Sequence, residues 1–267
     1  MIDSMQHNLQ IIPIPAFKDN YIWLIHNGQQ AVIVDPGDAT PVFETLQRLN
    51  LRLNTILVTH HHHDHIGGVD ALLKAYPNTK VYAPRLEQYA FEHVPVSELD
   101  VIALNELGLI FAVIALPGHT LGHIAYYSKN IDKNTNGDKL LFCGDTLFGA
   151  GCGRLFEGSP AQMYDSLQKL AALPPDTKVY CTHEYTLHNI NFALTLEPNN
   201  PALAKRLEET RKIRKINIPS LPSTIALELA TNPFLRCQSE EIQLSAQLKN
   251  ASYLEVFSTI RELRNHY

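Results

Sequence analysis

The 267-residue chain has little charge, few cysteines and no long apolar run. Charged residues make up 18% of it and the formal net charge is -5, so neither the basic footprint of a nucleic-acid binder nor a disordered acidic tail is indicated. An anionic ligand must therefore be caught by a few local cations. The four cysteines, Cys143, Cys152, Cys181 and Cys237, show no CxxC spacing and no disulfide-scaffold density, which argues against a zinc ribbon and for reduced thiols. No stretch approaches the roughly 20 apolar residues that cross a bilayer, and Met1-Ile2-Asp3-Ser4 lacks the basic-then-apolar profile of a secretion leader. A cytoplasmic monomer without membrane or nucleic-acid partners is expected.

Histidine is the residue in excess. There are 13, several beside Asp or Gly, a bias toward transition-metal chemistry. Around them the first two thirds of the chain alternate β-rich runs with helical spacings. Tyr21 to Ile25 and Ala31 to Val34 flank Asn27-Gly28, a hairpin signal in which both turn positions take positive φ. Thr55 to Val58, Val81 to Ala83, Phe111 to Leu116, Ile124 to Tyr127, Leu140 to Cys143 and Lys178 to Cys181 read as further strands. Val69, Leu72, Leu73 and Tyr76 repeat at helical spacing, as do Met163, Leu167 and Leu170 behind Ser159 and Pro160. From about Glu184 the texture turns helical, punctuated by prolines, with no strand pattern. An α/β domain over 1–183 and a small all-α C-terminal domain over 184–267 are expected.

The run His60-His61-His62-His63-Asp64-His65 follows the strand ending at Val58. Alternate residues of an extended chain share a side, so His60 and His62 can converge on one metal while His61 and His63 point away. Asp64 and His65 lie where the chain turns into the next helix and can face a second ion. Gly67 and Gly68 permit close backbone packing behind such a site. Four ligands do not fill two coordination spheres. His119, Asp145 and His183, each following a strand-like run, supply the rest. The assignment is His60, His62 and His119 to one metal, Asp64, His65 and His183 to the other, and Asp145 as bridge.

This HxHxDH pattern, followed by Gly118-His119, Gly144-Asp145 and Thr182-His183, resembles the metallo-β-lactamase fold superfamily. The resemblance implies a four-layer αββα sandwich with the metals between the edges of two sheets, where composition and periodicity indicate only α/β. Segments 15–21, 144–148, 151–154, 181–186 and 232–236 are similar to glyoxalase II, the hydroxyacylglutathione hydrolase family, and spread over nearly the whole chain. That similarity implies that the C-terminal domain binds glutathione. Arg154 would take a basic position of the family, Tyr185 would contact the thioester, and Arg236 would reach glutathione from the helical domain. Phe156 stands where some relatives have the Tyr of Lys-x-Tyr, so one hydroxyl contact is missing. Glutathione carries two carboxylates, each of which an Arg can bind bidentately.

The chemistry follows from the ligand set. Two cations sharing a water can lower its pKa from 15.7 toward about 7, and the hydroxide would attack the thioester carbonyl with Asp64 or Asp145 orienting the water or its proton. A thiol pKa of about 8.5 makes the thiolate a good leaving group. The resemblance to glyoxalase II implies S-lactoylglutathione as substrate, with lactate and glutathione as products; two divalent ions are expected, zinc first, iron or manganese being accommodated by the same donors. A glutathione persulfide dioxygenase of the same superfamily is the alternative, and it would need fewer ligands than the chain offers. A non-catalytic metal-stabilised module is the third reading, against which seven donors exceed the needs of one closed structural zinc.

Overall fold

The first sheet begins with runs that are apolar almost throughout, β1 (Gln10–Ala16) and β2 (Asn20–His26), paired antiparallel from Gln10↔His26 to Ala16↔Asn20. Every residue of β2 is buried, as befits an inner strand. β3 (Gln30–Val34) returns through a turn in which Gly28 has φ +88° and Asn27 Oδ1 accepts from the backbone N–H of Gln29 and Gln30. The expected hairpin is thus present, but only the glycine takes positive φ; the Asn27 side chain fixes the rest as an Asx turn.

The computed structural model describes residues 9–129 and 138–267. Met1 to Ser4, from which the absence of a leader was read, lie outside them. The chain divides into two units, Met1–Ala115 with Ile124–Phe142, and Leu116–His123 with Cys143–Tyr267.

In the first unit the sheet continues in parallel through β4 (Arg52–Leu57), β5 (Lys80–Pro84) and β6 (Val94–Val96). Parallel neighbours need crossovers. α1 (Thr40–Arg48) lies between β3 and β4 in the chain, and α2 (His63–Ile66) with α3 (Val69–Ala75) between β4 and β5. Ile14, Leu24, Ile33, Val42, Leu46, Ile56, Val69 and Leu72 form one core cluster, with Leu73 and Tyr76 at its rim, so the helical period places these four α3-region residues as expected. β7 (Val101–Leu104), β8 (Leu109–Ala115), β9 (Ile124–Ser128) and β10 (Leu140–Gly144) run antiparallel in that order. The buried Tyr126 hydroxyl on β9 donates to the Val58 and Tyr82 carbonyls, at 2.7 and 3.1 Å, tying these strands to the first sheet.

The second unit carries the short hairpin β11 (Leu147–Phe148) and β12 (Gly151–Cys152), then α4 (Pro160–Ala171), whose Ser159 and Gln162 make a capping box. β13 (Lys178–Cys181) is followed by α5 (Thr186–Leu196), α6 (Pro201–Arg214), α7 (Ile225–Thr231), α8 (Glu240–Ser245) and α9 (Tyr253–Asn265). One element corrects the expectation that no strand lies beyond Glu184. β14 (Ser223–Thr224) pairs with β13, Lys178↔Thr224 and Val179↔Ser223. Two residues after Pro222 are too few to carry a periodic signal, and it is the β13 edge that makes them a strand.

A buried ion pair braces this unit. Arg206 on α6 donates to Glu228 Oε1 on α7 at 2.6 Å, to Thr231 Oγ1 and to Ser223 Oγ, while Glu228 Oε2 accepts the Ala150 N–H at 2.8 Å. Asn232 Nδ2 donates to the Gly151 carbonyl and to Glu228 Oε2. The β11–β12 turn is therefore held by helix side chains. All four cysteines are buried and free, and burial pushes the Cys143 and Cys181 thiols up. Among the described residues no helix is long and apolar enough to cross a membrane.

Candidate metal centre

In the first unit β4 ends at Leu57, and the extended residues that follow deliver the histidine run. His60 Nε2 and His62 Nδ1 face each other at 3.0 Å. Two nitrogens bound at about 2.0–2.1 Å to one tetrahedral zinc would stand a little over 3 Å apart, so the pair fits a shared ion. Asp64 and His65 lie on α2, with Asp64 Oδ2 3.6 Å from His65 Nε2. His65 Nδ1 is 3.0 Å from Asp35 Oδ2, and Asp35 also accepts from the Thr59 N–H and hydroxyl, both at 2.8 Å. A carboxylate there takes the Nδ1 proton and leaves the Nε2 lone pair for a metal. Asn20 Nδ2 donates to Asp64 Oδ2 at 3.0 Å. Gly68 explains the tight backing: a Cβ there would lie 2.6 Å from the Ala39 nitrogen and 2.7 Å from the Pro36 carbonyl oxygen. His63 is exposed, and His61 turns to Glu87, Nδ1 to Oε2 3.3 Å.

In the second unit two imidazole nitrogens converge on one carboxylate oxygen. Asp145 Oδ2 is 3.4 Å from His119 Nε2 and 3.3 Å from His183 Nε2, all three residues being buried. His119 Nδ1 is 2.8 Å from the Arg154 carbonyl oxygen. That oxygen can only accept, so the proton sits on Nδ1 and Nε2 presents its lone pair. The donors of each unit are imidazole and carboxylate, with the tautomers of His65 and His119 fixed by their partners, and such donors suit zinc, iron or manganese.

Within the second unit a cleft of about 420 Å³ is lined by His119, Asp145, Phe148, Cys152, Arg154, Phe156, Tyr185, His188, Asn189, Arg261 and Arg264. Tyr185 stacks flat on His183, ring centroids 4.7 Å apart at 2°, and Phe156 meets His119 edge-on at 5.2 Å. Three guanidiniums thus border His119 and Asp145. Burial, then the charges of Arg261 and Arg154, push Arg264 below its ordinary pKa, and burial followed by Arg264 does the same to His188. The cleft is electropositive and fit for an anion. Arg236 is not among its lining residues. Its guanidinium holds Glu197 through Nε and Nη2, at 2.8 and 2.9 Å, and donates to the Leu229 carbonyl.

Residues 17–183 match the metallo-beta-lactamase superfamily, and residues 184–267 match the hydroxyacylglutathione hydrolase C-terminus. A curated hydroxyacylglutathione hydrolase of Methylobacillus flagellatus is 54% identical over 258 residues, 97% of this chain and 99% of the relative. The chain belongs to the hydroxyacylglutathione hydrolase family. A second member, from Nitrosomonas eutropha, is 49% identical over 97% of this chain and 99% of its own length. The crystal structure of TTHA1623 in a di-iron-bound form aligns with a TM-score of 0.60 and 26% identity, covering 84% of this chain and 100% of that one. The metallo-β-lactamase-like fold with a helical C-terminal region is as the sequence led one to expect. Membership makes the chain a hydrolase, and the fold with its His and Asp donors implies divalent metals.

Sequence reasoning did not find every cleft residue of this family member. Arg261 and Arg264 sit one helical turn apart on α9, in a segment that reads as an ordinary amphipathic helix. Arg261 is 4% exposed, donates to the Cys152 carbonyl at 2.9 Å and lies 5.1 Å over the Phe234 ring. Among the described residues its buried Nε makes no hydrogen bond. An arginine at i and i+3 was the available signal; nothing in the spacing says which face it takes.

Proposed function

We propose that the chain hydrolyses S-(2-hydroxyacyl)glutathione, S-lactoylglutathione first, to a 2-hydroxy acid and glutathione. The observation that carries this reading is the cleft in which Arg154, Arg261 and Arg264 border His119 and Asp145. Glutathione brings two carboxylates to such a wall, and a guanidinium fork matches a carboxylate. Curated relatives at about half identity bear the corresponding name.

The proposed ligand sets are those of the sequence: His60, His62 and His119 for one ion, Asp64, His65 and His183 for the other, with Asp145 bridging. Zinc is the first choice for both, iron or manganese being compatible with the donors. When bound, the ions supply a water of lowered pKa and polarise the thioester carbonyl. Asp64 or Asp145 would orient that water and hold the one proton it loses. Tyr185, stacked on His183, and Phe156, against His119, form apolar walls beside the donors and keep bulk water off the acyl group. The thiolate departs without a general acid, its conjugate pKa being about 8.5. Arg236 is committed to Glu197, so the glutathione role expected of it passes in this proposal to Arg261 and Arg264 of the same helical region. Residues 1–183 would then form the metal-binding catalytic domain and 184–267 the glutathione-binding one, in a cytoplasmic monomer.

The test is loss of thioester absorbance on adding S-lactoylglutathione to protein of measured metal content. Turnover that depends on metal content supports the reading. No turnover with a replete site, or oxygen uptake on glutathione persulfide at one iron per chain, overturns it.

A further inference from the structure

One more buried histidine stands beside the donors of the second unit and belongs to neither set. His123 is fully buried and closes the loop 116–123 that carries His119; the Leu116 N–H donates to its carbonyl at 2.8 Å. Its Nε2 accepts the backbone N–H of Asp145 at 3.1 Å, and its Nδ1 lies 3.2 Å from Thr146 Oγ1. An amide N–H can only donate. Nε2 must therefore carry the lone pair, and the ring proton sits on Nδ1, donated to the threonine oxygen. A nitrogen whose lone pair takes a backbone N–H has none left for a metal, which removes His123 as an eighth ligand.

The position of this contact matters. Gly144, immediately before Asp145, has φ +46°, so the chain reverses out of β10 just where the carboxylate must be aimed. The direction of the Asp145 side chain depends on what holds the peptide between the two residues. His123 holds it, from the same loop whose other end supplies His119. Asp145 Oδ2 then lies within 3.4 Å of both histidine nitrogens.

We propose that His123 is a positioning residue: through its hydrogen bond to the Asp145 peptide it aims the carboxylate and so sets metal affinity, without ligating. This rests on reading Asp145 as a metal ligand.

The experiment is zinc competition against a chromogenic chelator on the full chain, for the unsubstituted protein, His123→Gln, His123→Leu and Thr146→Val. Glutamine puts a carbonyl oxygen where Nε2 stands; leucine fills the space without an acceptor. Outer-shell partners of metal ligands are worth about 10–100-fold in affinity, so His123→Leu is expected to weaken zinc by that order, Thr146→Val by less, and His123→Gln to stay within about threefold. Thioester kcat falls with zinc affinity in the leucine variant while KM holds. A folded leucine variant with unchanged zinc affinity, or a glutamine variant as weak as leucine, overturns the proposal. Should leucine not fold, ring-nitrogen NMR of the zinc-loaded unsubstituted protein decides. Neutral His123 with its proton on Nδ1 supports the assignment, and a proton or zinc on Nε2 refutes it. Neither zinc competition nor NMR uses the thioester, so a failure of the hydrolysis reading would be seen separately.

Discussion

Glu228→Gln should be among the most damaging conservative substitutions in the chain, because it removes a charge that nothing else can replace. Glu228 and Arg206 are 0% and 4% exposed, and their 2.6 Å contact is the ion pair at the centre of the helical region. Taking away one partner leaves a guanidinium buried without a counter-charge, at a cost of about 3–5 kcal/mol. Glutamine keeps an oxygen for the Ala150 N–H, so the lower end, about 3 kcal/mol, is expected. For a chain of this size each kcal/mol moves the melting temperature by roughly 2–4 °C, hence a fall of roughly 6–12 °C by calorimetry. The double variant Arg206→Met/Glu228→Gln removes both charges and should melt above the single one. A fall below about 3 °C, or a double variant less stable than Glu228→Gln, would refute the reasoning. Because Ala150 and Gly151 hang on this network and Phe148 and Cys152 line the cleft, the single variant should also raise KM.

Asp64→Ala and Asp145→Ala should each lose metal, measured by elemental analysis, together with nearly all hydrolysis; normal metal content at an unchanged rate would sink their assigned roles. Glu197 offers a pH test. Burial works to raise its carboxyl, but hydrogen bonds from Arg236 and Ser239, the Arg236 charge and Asn200 outweigh it and hold the group below the ordinary glutamate value. A carboxyl lowered on folding stabilises above its unfolded pKa, about 4.3, and that stabilisation is lost as pH falls through the folded value. The urea midpoint of the unsubstituted protein should therefore exceed that of Glu197→Gln at pH 6–7 and converge on it as the pH falls below the unfolded value; a gap that stays constant with pH would show that the Arg236 pair is not its source.

The proposed metal donors stand out in the sequence because the chain packs four of them into six residues after a strand, where a period of two decides which can converge. The remaining three were legible because each follows a strand-like run beside a small residue. Strand and helix periods gave many of the elements, but β1, α1, β6, β7, the short β11–β12 pair and β14 went unread, β14 being two residues that the β13 edge organises. Arg236, expected to reach glutathione, is not among the residues lining the cleft. That expectation came from the segment Asn232-Pro233-Phe234-Leu235-Arg236, whose distinctiveness has a structural cause: the buried Asn232 caps the turn at Phe234 and binds the Phe148 and Gly151 carbonyls. A motif held in place by such a residue marks the fold, and its neighbouring arginine closes an ion pair with Glu197. Arg261 and Arg264 carry no motif at all, because which face of α9 meets the cleft is decided by tertiary packing.

Arg154 joins the metal donors to the cleft in a way that two substitutions can separate. Its backbone carbonyl holds His119 Nδ1, whereas its side chain borders the cleft. Arg154→Ala keeps the carbonyl and removes the guanidinium. It should raise KM for the thioester about 10–100-fold, the worth of about 1.5–3 kcal/mol for hydrogen bonds to a charged group, and leave zinc affinity alone. Gly153→Ala does the reverse. A Cβ at Gly153 would lie 1.9 Å from the Asp145 carbonyl oxygen and 3.1 Å from His119 Nδ1, so the backbone under both donors must shift. Zinc affinity should then fall, and kcat with it, while the arginine wall remains. If Gly153→Ala binds zinc as tightly as the unsubstituted chain, the donors are not held by this turn. If Arg154→Ala loses zinc, side chain and carbonyl are not separable, and the division between holding the metal and holding the anion fails at the one residue where both meet.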